Sequence, residues 1–302
     1  ILSSSLQLTS EQKAGLYASI ADAYRRDELY FSSIQNYKKA LSLYEEIKNV
    51  EKQNLILTAT GLCFNKIGDF SNAITTLKTS LEITEKKGTP HSIAEANSNL
   101  GIVYFDMGEY AKANKYFAEA LKIEKTFNLK RNHGVDLNNK GILLKSVGKY
   151  SEALSTLEES IRVAQQVKNT KDEAIAWSNR ALVLRIMGQT TKALGDYQKA
   201  LKLYEKDKFK EGIASCYLGI GKLYEIRDLN YQKAYEYYQK AFEIYDRLGN
   251  VGYQAEALNQ IGRVFKKTIN KSKSSQSFGA LVFEEEPVYI EVSSAEAAKE
   301  ST

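Results

Sequence analysis

Two prolines, two cysteines, two histidines and one tryptophan are all that 302 residues contain of these types. Proline breaks helices, so its scarcity leaves room for long uninterrupted ones. Cys63 and Cys216 lie 153 residues apart, a spacing that supports neither a disulfide framework nor a metal site and points to a reducing, cytoplasmic setting. They read as buried small residues. No apolar run reaches the roughly 18 residues of a membrane span. The opening ILSSSLQLT starts at Ile1 rather than Met and has neither the basic start nor the apolar stretch of a signal peptide. A net charge of +5 and a pI near 8.8 are too modest for the dense basic stripe of a nucleic-acid binder.

What is present is a period. Ala21, Gly61, Gly101, Gly141, Ala181 and Gly221 stand 40 residues apart, and Gly262 follows with one residue of slippage. An aromatic residue or leucine comes three positions later (Tyr24, Phe64, Tyr104, Leu144, Leu184, Tyr224), and a small residue near the twelfth (Ser33, Ala73, Ala113, Ala153, Ala193, Ala234). Between them, apolar residues recur every three or four positions, the helical spacing. In the third unit, SIAEANSNLGIVYFDM and YAKANKYFAEALKIEKTF flank a turn at Gly108, and the same turn recurs at Gly68, Gly148 and Gly188. Each unit therefore reads as a helical hairpin, with Ser92 as an N-cap three residues before Glu95. The small residues mark where helix A crosses helix B: Gly101 and Ala113 admit the close approach, and Tyr104, Tyr110 and Phe117 fill the space around it.

Trp177, Ala181, Leu184, Gly188, Ala193, Tyr197 and Ala200 carry the spacing W-x-x-x-A-x-x-L, a glycine turn, then A-x-x-x-Y-x-x-A. This pattern resembles the tetratricopeptide repeat, over residues 10 to 266. The family's common unit is 34 residues and ends near a proline. These longer units lack that proline and resemble the lengthened-helix subclass of kinesin light chain and related signalling adaptors. The resemblance implies an all-α, right-handed α-solenoid superhelix of about six and a half hairpins. The expected organisation is a remnant of a preceding segment or an N-terminal cap over 1–9, and a repeat array with a capping helix over 10–267. A Ser/Lys-rich linker over 268–280 and an acidic tail, disordered or extended, over 281–302 complete it.

In this family helix A lines the concave face, and the two positions before the repeat glycine point into the groove. Asn99, Asn139 and Asn179 hold the position two before it in three successive units, and Asn138 and Asn259 the position before that. An asparagine amide donates to a backbone carbonyl and accepts from a backbone N–H at once, so a row of them holds an extended peptide without reading its side chains. Helix A axes about 10 Å apart and a strand rise of about 3.3 Å per residue let each asparagine meet about every third ligand residue. Four and five residues after the glycine stand Arg25, Arg26, Asn65, Lys66, Lys145 and Arg185, interrupted by Phe105 and Glu225. Residues 1–280 carry 41 Lys and Arg against 31 Asp and Glu, whereas 281–302 carry one Lys and six Glu. The body should attract anions, and its expected partner is a protein offering an acidic extended segment. Its own tail is a second candidate, with Glu284, Glu285, Glu286 and Tyr289 as a self-docking or modification segment. The alternative reading is a regulatory or sensor module of a larger signalling protein.

Enzymatic chemistry finds no foothold in this pattern. His91 and His133 fall between the units, neither HExxH nor CxxC occurs, and Gly219-Ile-Gly221 lies within a helical stretch rather than after a strand. No catalytic residue, metal ligand or cofactor is expected. Trp177 and the tyrosines follow the packing columns.

Overall fold

A computed structural model describes residues 8–227 and 229–274. Six hairpins follow one another: α1 (Ser10–Arg26) with α2 (Tyr30–Glu46), α3 (Val50–Lys66) with α4 (Phe70–Lys87), α5 (Pro90–Asp106) with α6 (Tyr110–Thr126), α7 (Lys130–Ser146) with α8 (Tyr150–Gln166), α9 (Thr170–Ile186) with α10 (Thr190–Lys206), and α11 (Lys210–Arg227) with α12 (Tyr231–Arg247). A single helix, α13 (Val251–Ser274), closes the described part. It runs past the 267 boundary, because loss of apolar periodicity does not by itself end a helix made of good helix formers such as Lys. The self-docking segment at Glu284, Glu285, Glu286 and Tyr289 lies outside the described residues.

Each helix packs on the one before and the one after, and from α3 to α11 each odd helix also touches the next odd one. No comparable contact joins successive even helices among the described residues. Helices on the inside of a curve crowd together while those outside spread, so the odd helices form the inner wall of an all-α solenoid.

The repeat glycines sit at the hairpin crossings. A Cβ built on Gly61, Gly101, Gly141 or Gly221 would come within 2.6, 2.7, 2.6 and 2.6 Å of Leu77, Phe117, Leu157 and Tyr238 respectively. Gly262 meets nothing within 4 Å, because the described chain supplies no helix B for α13. Ala113 and Phe117 are sealed and Tyr104 is nearly so, as the pattern predicts, but Tyr110 at the start of α6 stays 37% exposed. Ser92 is not the N-cap of α5. Thr89 is, with Pro90 in the first turn, and Ser92 closes a reciprocal capping pair with it. Cys63 and Cys216 are free and fully buried.

The links show a period that the sequence hides. The first twelve helices, of 17 or 18 residues, are joined by three-residue turns except for the two-residue link Gly88–Thr89, and nearly every turn has one residue in the left-handed region. Within hairpins that residue is Glu28, Gly68, Gly108, Gly148, Gly188 or Leu229, and between hairpins it is Lys48, Asn128, Lys168, Lys208 or Gly249. In the α3–α4 turn the Gly68 N–H donates to the Asn65 carbonyl at 3.1 Å and the Asp69 N–H to the Phe64 carbonyl at 2.9 Å, so the last carbonyls of α3 are satisfied. The junction at Gly88 is the exception, with extended backbone leading into the Thr89 cap. A non-glycine residue in the left-handed region costs about 1–2 kcal/mol, partly offset by the extra unfolded-state freedom of glycine. Lys168→Gly is therefore expected to stabilise the array by about 0.5–1 kcal/mol, read as a raised urea midpoint. An unchanged or lowered midpoint would mean that this turn carries no strain.

Candidate functional site

Successive helical residues are about 100° apart. Residues at six, three and two positions before the repeat glycine, and at one, four and five after it, therefore share an arc of about 120°. That arc is the inner wall, because the side-chain bonds between neighbouring odd helices all start from it. Asn65 Nδ2 donates to Asp106 Oδ2 at 2.7 Å, Ser98 Oγ to Asp136 Oδ1, Asn179 Nδ2 to Asn138 Oδ1 at 2.9 Å, and Lys222 Nζ to Glu256 Oε1 at 2.7 Å.

The asparagine row thus serves partly as fastening. Asn138 and Asn179 hold each other across α7 and α9, and Asn139, half-buried, donates to Asp136 on its own helix at 3.2 Å. Asn99 lies in the core margin at 8% exposure, and its Nδ2 is buried without an acceptor. Asn259 is exposed on α13. Through the middle of the arc, at the position after the repeat glycine, run Leu62, Ile102, Ile142 and Leu182, all half-exposed. This apolar row forms a column in the sequence, but an apolar residue on a helix reads first as core.

The row four after the glycine is mixed. Arg25, exposed, donates to Asp22 at 3.2 Å and to the Tyr37 hydroxyl at 3.3 Å. Asn65 is buried and engaged with Asp106, and Phe105 leans on Tyr110 with ring centroids 5.7 Å apart. Lys145 and Arg185 are half-buried and in no ion pair among the described residues. Burial, then the nearby Arg185 guanidinium, lowers the Lys145 ammonium below the ordinary lysine range. Buried Glu225 reverses the sign of the row. It accepts from Tyr238 at 2.8 Å, Arg263 at 3.2 Å and Lys267 at 2.6 Å, and the bonds from Lys267 and Tyr238, with the charge of Arg263, overcome its burial and hold its carboxyl below the usual range. Arg26 and Lys66, one position further on, are exposed.

A buried acidic cluster lies behind this wall where the third hairpin meets the fourth. Asp136, 3% exposed, is pushed up to about 8 by burial first and then by Glu124 of α6. Apart from the Asp136 carboxyl, to which it is hydrogen-bonded, Glu124 meets no hydrogen-bond donor among the described residues, while His133 Nδ1 stands 3.6 Å from its Oε2. His91 and His133 thus sit in the first turns of α5 and α7, not between helices. On the outer side, Arg180 grips Asp196 at 2.7 and 3.0 Å and lies 4.4 Å over Trp177, with Lys199 4.0 Å from the same ring. Trp177 is a packing surface for cations of its own chain. Among the described residues no group of three or more His, Cys, Asp or Glu could hold a metal ion, and no helix is long and apolar enough to cross a membrane.

A wall of odd helices, glycine notches at the crossings and one turn type throughout define a helical-repeat protein of the interaction-module class. Its family profile is "Tetratricopeptide repeat", which matches residues 92–166 and 172–229. Over those residues the chain consists of tetratricopeptide repeats. Solved structures agree in fold. BtubC (BKLC) from P. vanneervenii is 16% identical, with 94% of this chain and 99% of that one covered and a TM-score of 0.55. A signal transduction ATPase with numerous domains (STAND), which has a tetratricopeptide repeat sensor, from Pyrococcus horikoshii is 17% identical, with 86% and 40% covered and a TM-score of 0.65. The Rap conjugation gene regulator of the plasmid pLS20, solved in complex with the Phr* peptide, is 17% identical, with 92% and 81% covered and a TM-score of 0.61. No curated protein matches the sequence. At these identities the likeness concerns the fold.

Proposed function

We propose that this protein is a non-catalytic adaptor that holds an extended, acidic peptide segment of a partner along its inner wall. The observation that carries the reading is the half-exposed row Ile102, Ile142 and Leu182, flanked by asparagine amides on one side and by Lys145 and Arg185 on the other. Apolar side chains of a peptide would bury on the row while its backbone exchanges hydrogen bonds with the amides and its acidic groups meet the cations. Asn139 and Asn179 are half-exposed and reach the ligand first, whereas Asn99 and Asn138 must turn outward to do so. The Rap regulator's peptide complex lends this reading support as a fold that accommodates a peptide.

Selection of random twelve-residue peptides on the full chain is expected to return sequences enriched in Asp and Glu. These should bind the Asn139→Ala, Asn179→Ala double variant more weakly by about 1–3 kcal/mol, read by titration calorimetry. Recovery of no binding sequence would reject the reading, and undiminished affinity of the double variant would remove the asparagines from it.

A second reading has one observation behind it: the chain is similar to a STAND ATPase that carries a repeat sensor, and it spans 40% of that structure. In that reading the same wall is the sensing surface of a larger signalling protein.

A further inference from the structure

Helix α13 carries the residues with which an odd helix seats its hairpin partner, and among the described residues no helix sits on them. Val251, Ala255, Leu258, Gly262 and Phe265 lie within about 80° of one another around the helix axis. This stripe points away from the side packed on α12, where Ala257 and Val264 are buried. Ala255 stands at the position of Ala14, Ala94, Ala174 and Ala214, and Phe265 at that of Tyr104, Leu144 and Leu184, all of them buried in their own hairpins. Here Ala255 is exposed, Phe265 is 52% exposed with its ring against Tyr235, and Val251 and Leu258 are 72% and 41% exposed. The notch at Gly262, which Leu77, Phe117, Leu157 or Tyr238 fills in four other hairpins, is open. A continuous apolar stripe of this kind gains free energy when it is covered.

The chain that follows α13 supplies a cover by composition, reach and charge. Residues 278–283 read FGALVF, and Glu284, Glu285 and Glu286 come directly after them. Along α13 the distance from Ser274 back to Gly262 is about 18 Å, while eight residues of extended chain span about 26 Å. A chain that leaves Ser274 and turns back therefore brings Leu281, Val282 and Phe283 to the notch with α13 unchanged. Tethering holds that run at an effective concentration of about 1 mM, so a weak contact suffices. Arg263, Lys266 and Lys267 are exposed beside the stripe. Two copies meeting through this face would set these cations against each other, whereas the glutamates after Phe283 answer them.

We propose that this face of α13 is the docking site of the chain's own segment 278–286, which lies where the other hairpins place their even helix. The segment then covers the end of the array and leaves the inner wall open, so the inference stands apart from the peptide-binding reading.

Cys63 and Cys216 are free and fully buried, so a thiol introduced on this face is read against a quiet background. Gly262→Cys and, separately, Leu258→Cys are made in the full-length chain, with Lys202→Cys, exposed on α10, as the reference. Each is prepared with and without the tail change Leu281→Asp, Phe283→Asp, and its rate of reaction with iodoacetamide is measured at a low and a high protein concentration. The tail change should speed labelling at 258 and at 262 by about tenfold, leave labelling at 202 unchanged, and do so equally at both concentrations. Equal rates with and without the tail change overturn the proposal. Protection that strengthens with protein concentration also overturns it and assigns the face to a second copy. Two labelling sites guard against a cysteine that itself disturbs the seat, since a Cβ at 262 meets nothing within 4 Å and the change at 258 leaves the notch intact.

Discussion

Phe117→Ala is expected to lower the stability of the array by about 3–5 kcal/mol, and Gly101→Ala by about 1–3 kcal/mol, yet the two together should cost less than their sum. Phe117 is 1% exposed and its ring occupies the place where a side chain at residue 101 would go, with Cδ1 and Cε1 both 2.7 Å from a built Cβ. Emptying that space by Phe117→Ala leaves a void, and the added methyl of Gly101→Ala then fills part of it instead of colliding. The double-mutant cycle should show a favourable coupling above about 0.5 kcal/mol, measured by urea unfolding. Strict additivity would show that the two residues do not share one site. The column itself supports the argument: Ala21 and Ala181 take the glycine position opposite Tyr37 and Tyr197, so an extra methyl is tolerated where the opposing side chain is accommodated differently.

Asp136→Asn should change how stability depends on pH rather than lower it uniformly. The Asp136 carboxyl titrates at about 8 when folded and near 3.9 when unfolded. Between those values the folded chain retains a proton that the unfolded chain has released, so this group's contribution is present in full below about pH 4 and is lost as pH rises through 8. Asparagine imitates the protonated acid at every pH: its carbonyl accepts from Ser98 and Asn139, as Asp136 Oδ1 does, and its amide faces Glu124. The variant should melt a little higher than wild type at pH 5, where part of this contribution has already gone, and higher by a wider margin of several degrees at pH 9. A melting difference that is the same at both pH values would sink the assignment of a proton to Asp136.

The 40-residue period was legible because two physical needs coincide in it: a notch at each hairpin crossing and an apolar stripe at helical spacing. The 20-residue half-period was not, because Lys48, Asn128, Lys168 and Lys208 do at the junctions between hairpins what glycine does within four of them. The shared register of the asparagines and cations could be read from the sequence, and the expectation that it faces inward came with the family resemblance. Their engagements could not, since Asn65 with Asp106 and Asn138 with Asn179 pair residues 41 apart whose facing depends on how hairpins stack. The acidic cluster is hidden in the sequence for a related reason. Glu124, His133 and Asp136 lie close in sequence but on two helices of different hairpins, with a turn between them. His133 looked like a loop residue because α7 begins at Lys130 with no side-chain cap to announce it.

Asn138 and Asn179 are joined across two helices that also form the floor on which a guest would lie. An occupant that drew either amide to itself would loosen one bond between neighbouring hairpins, so the pitch of the coil and the tightness of its grip would be coupled. By reciprocity, stretching or twisting the coil from its ends would change how firmly it held such a guest.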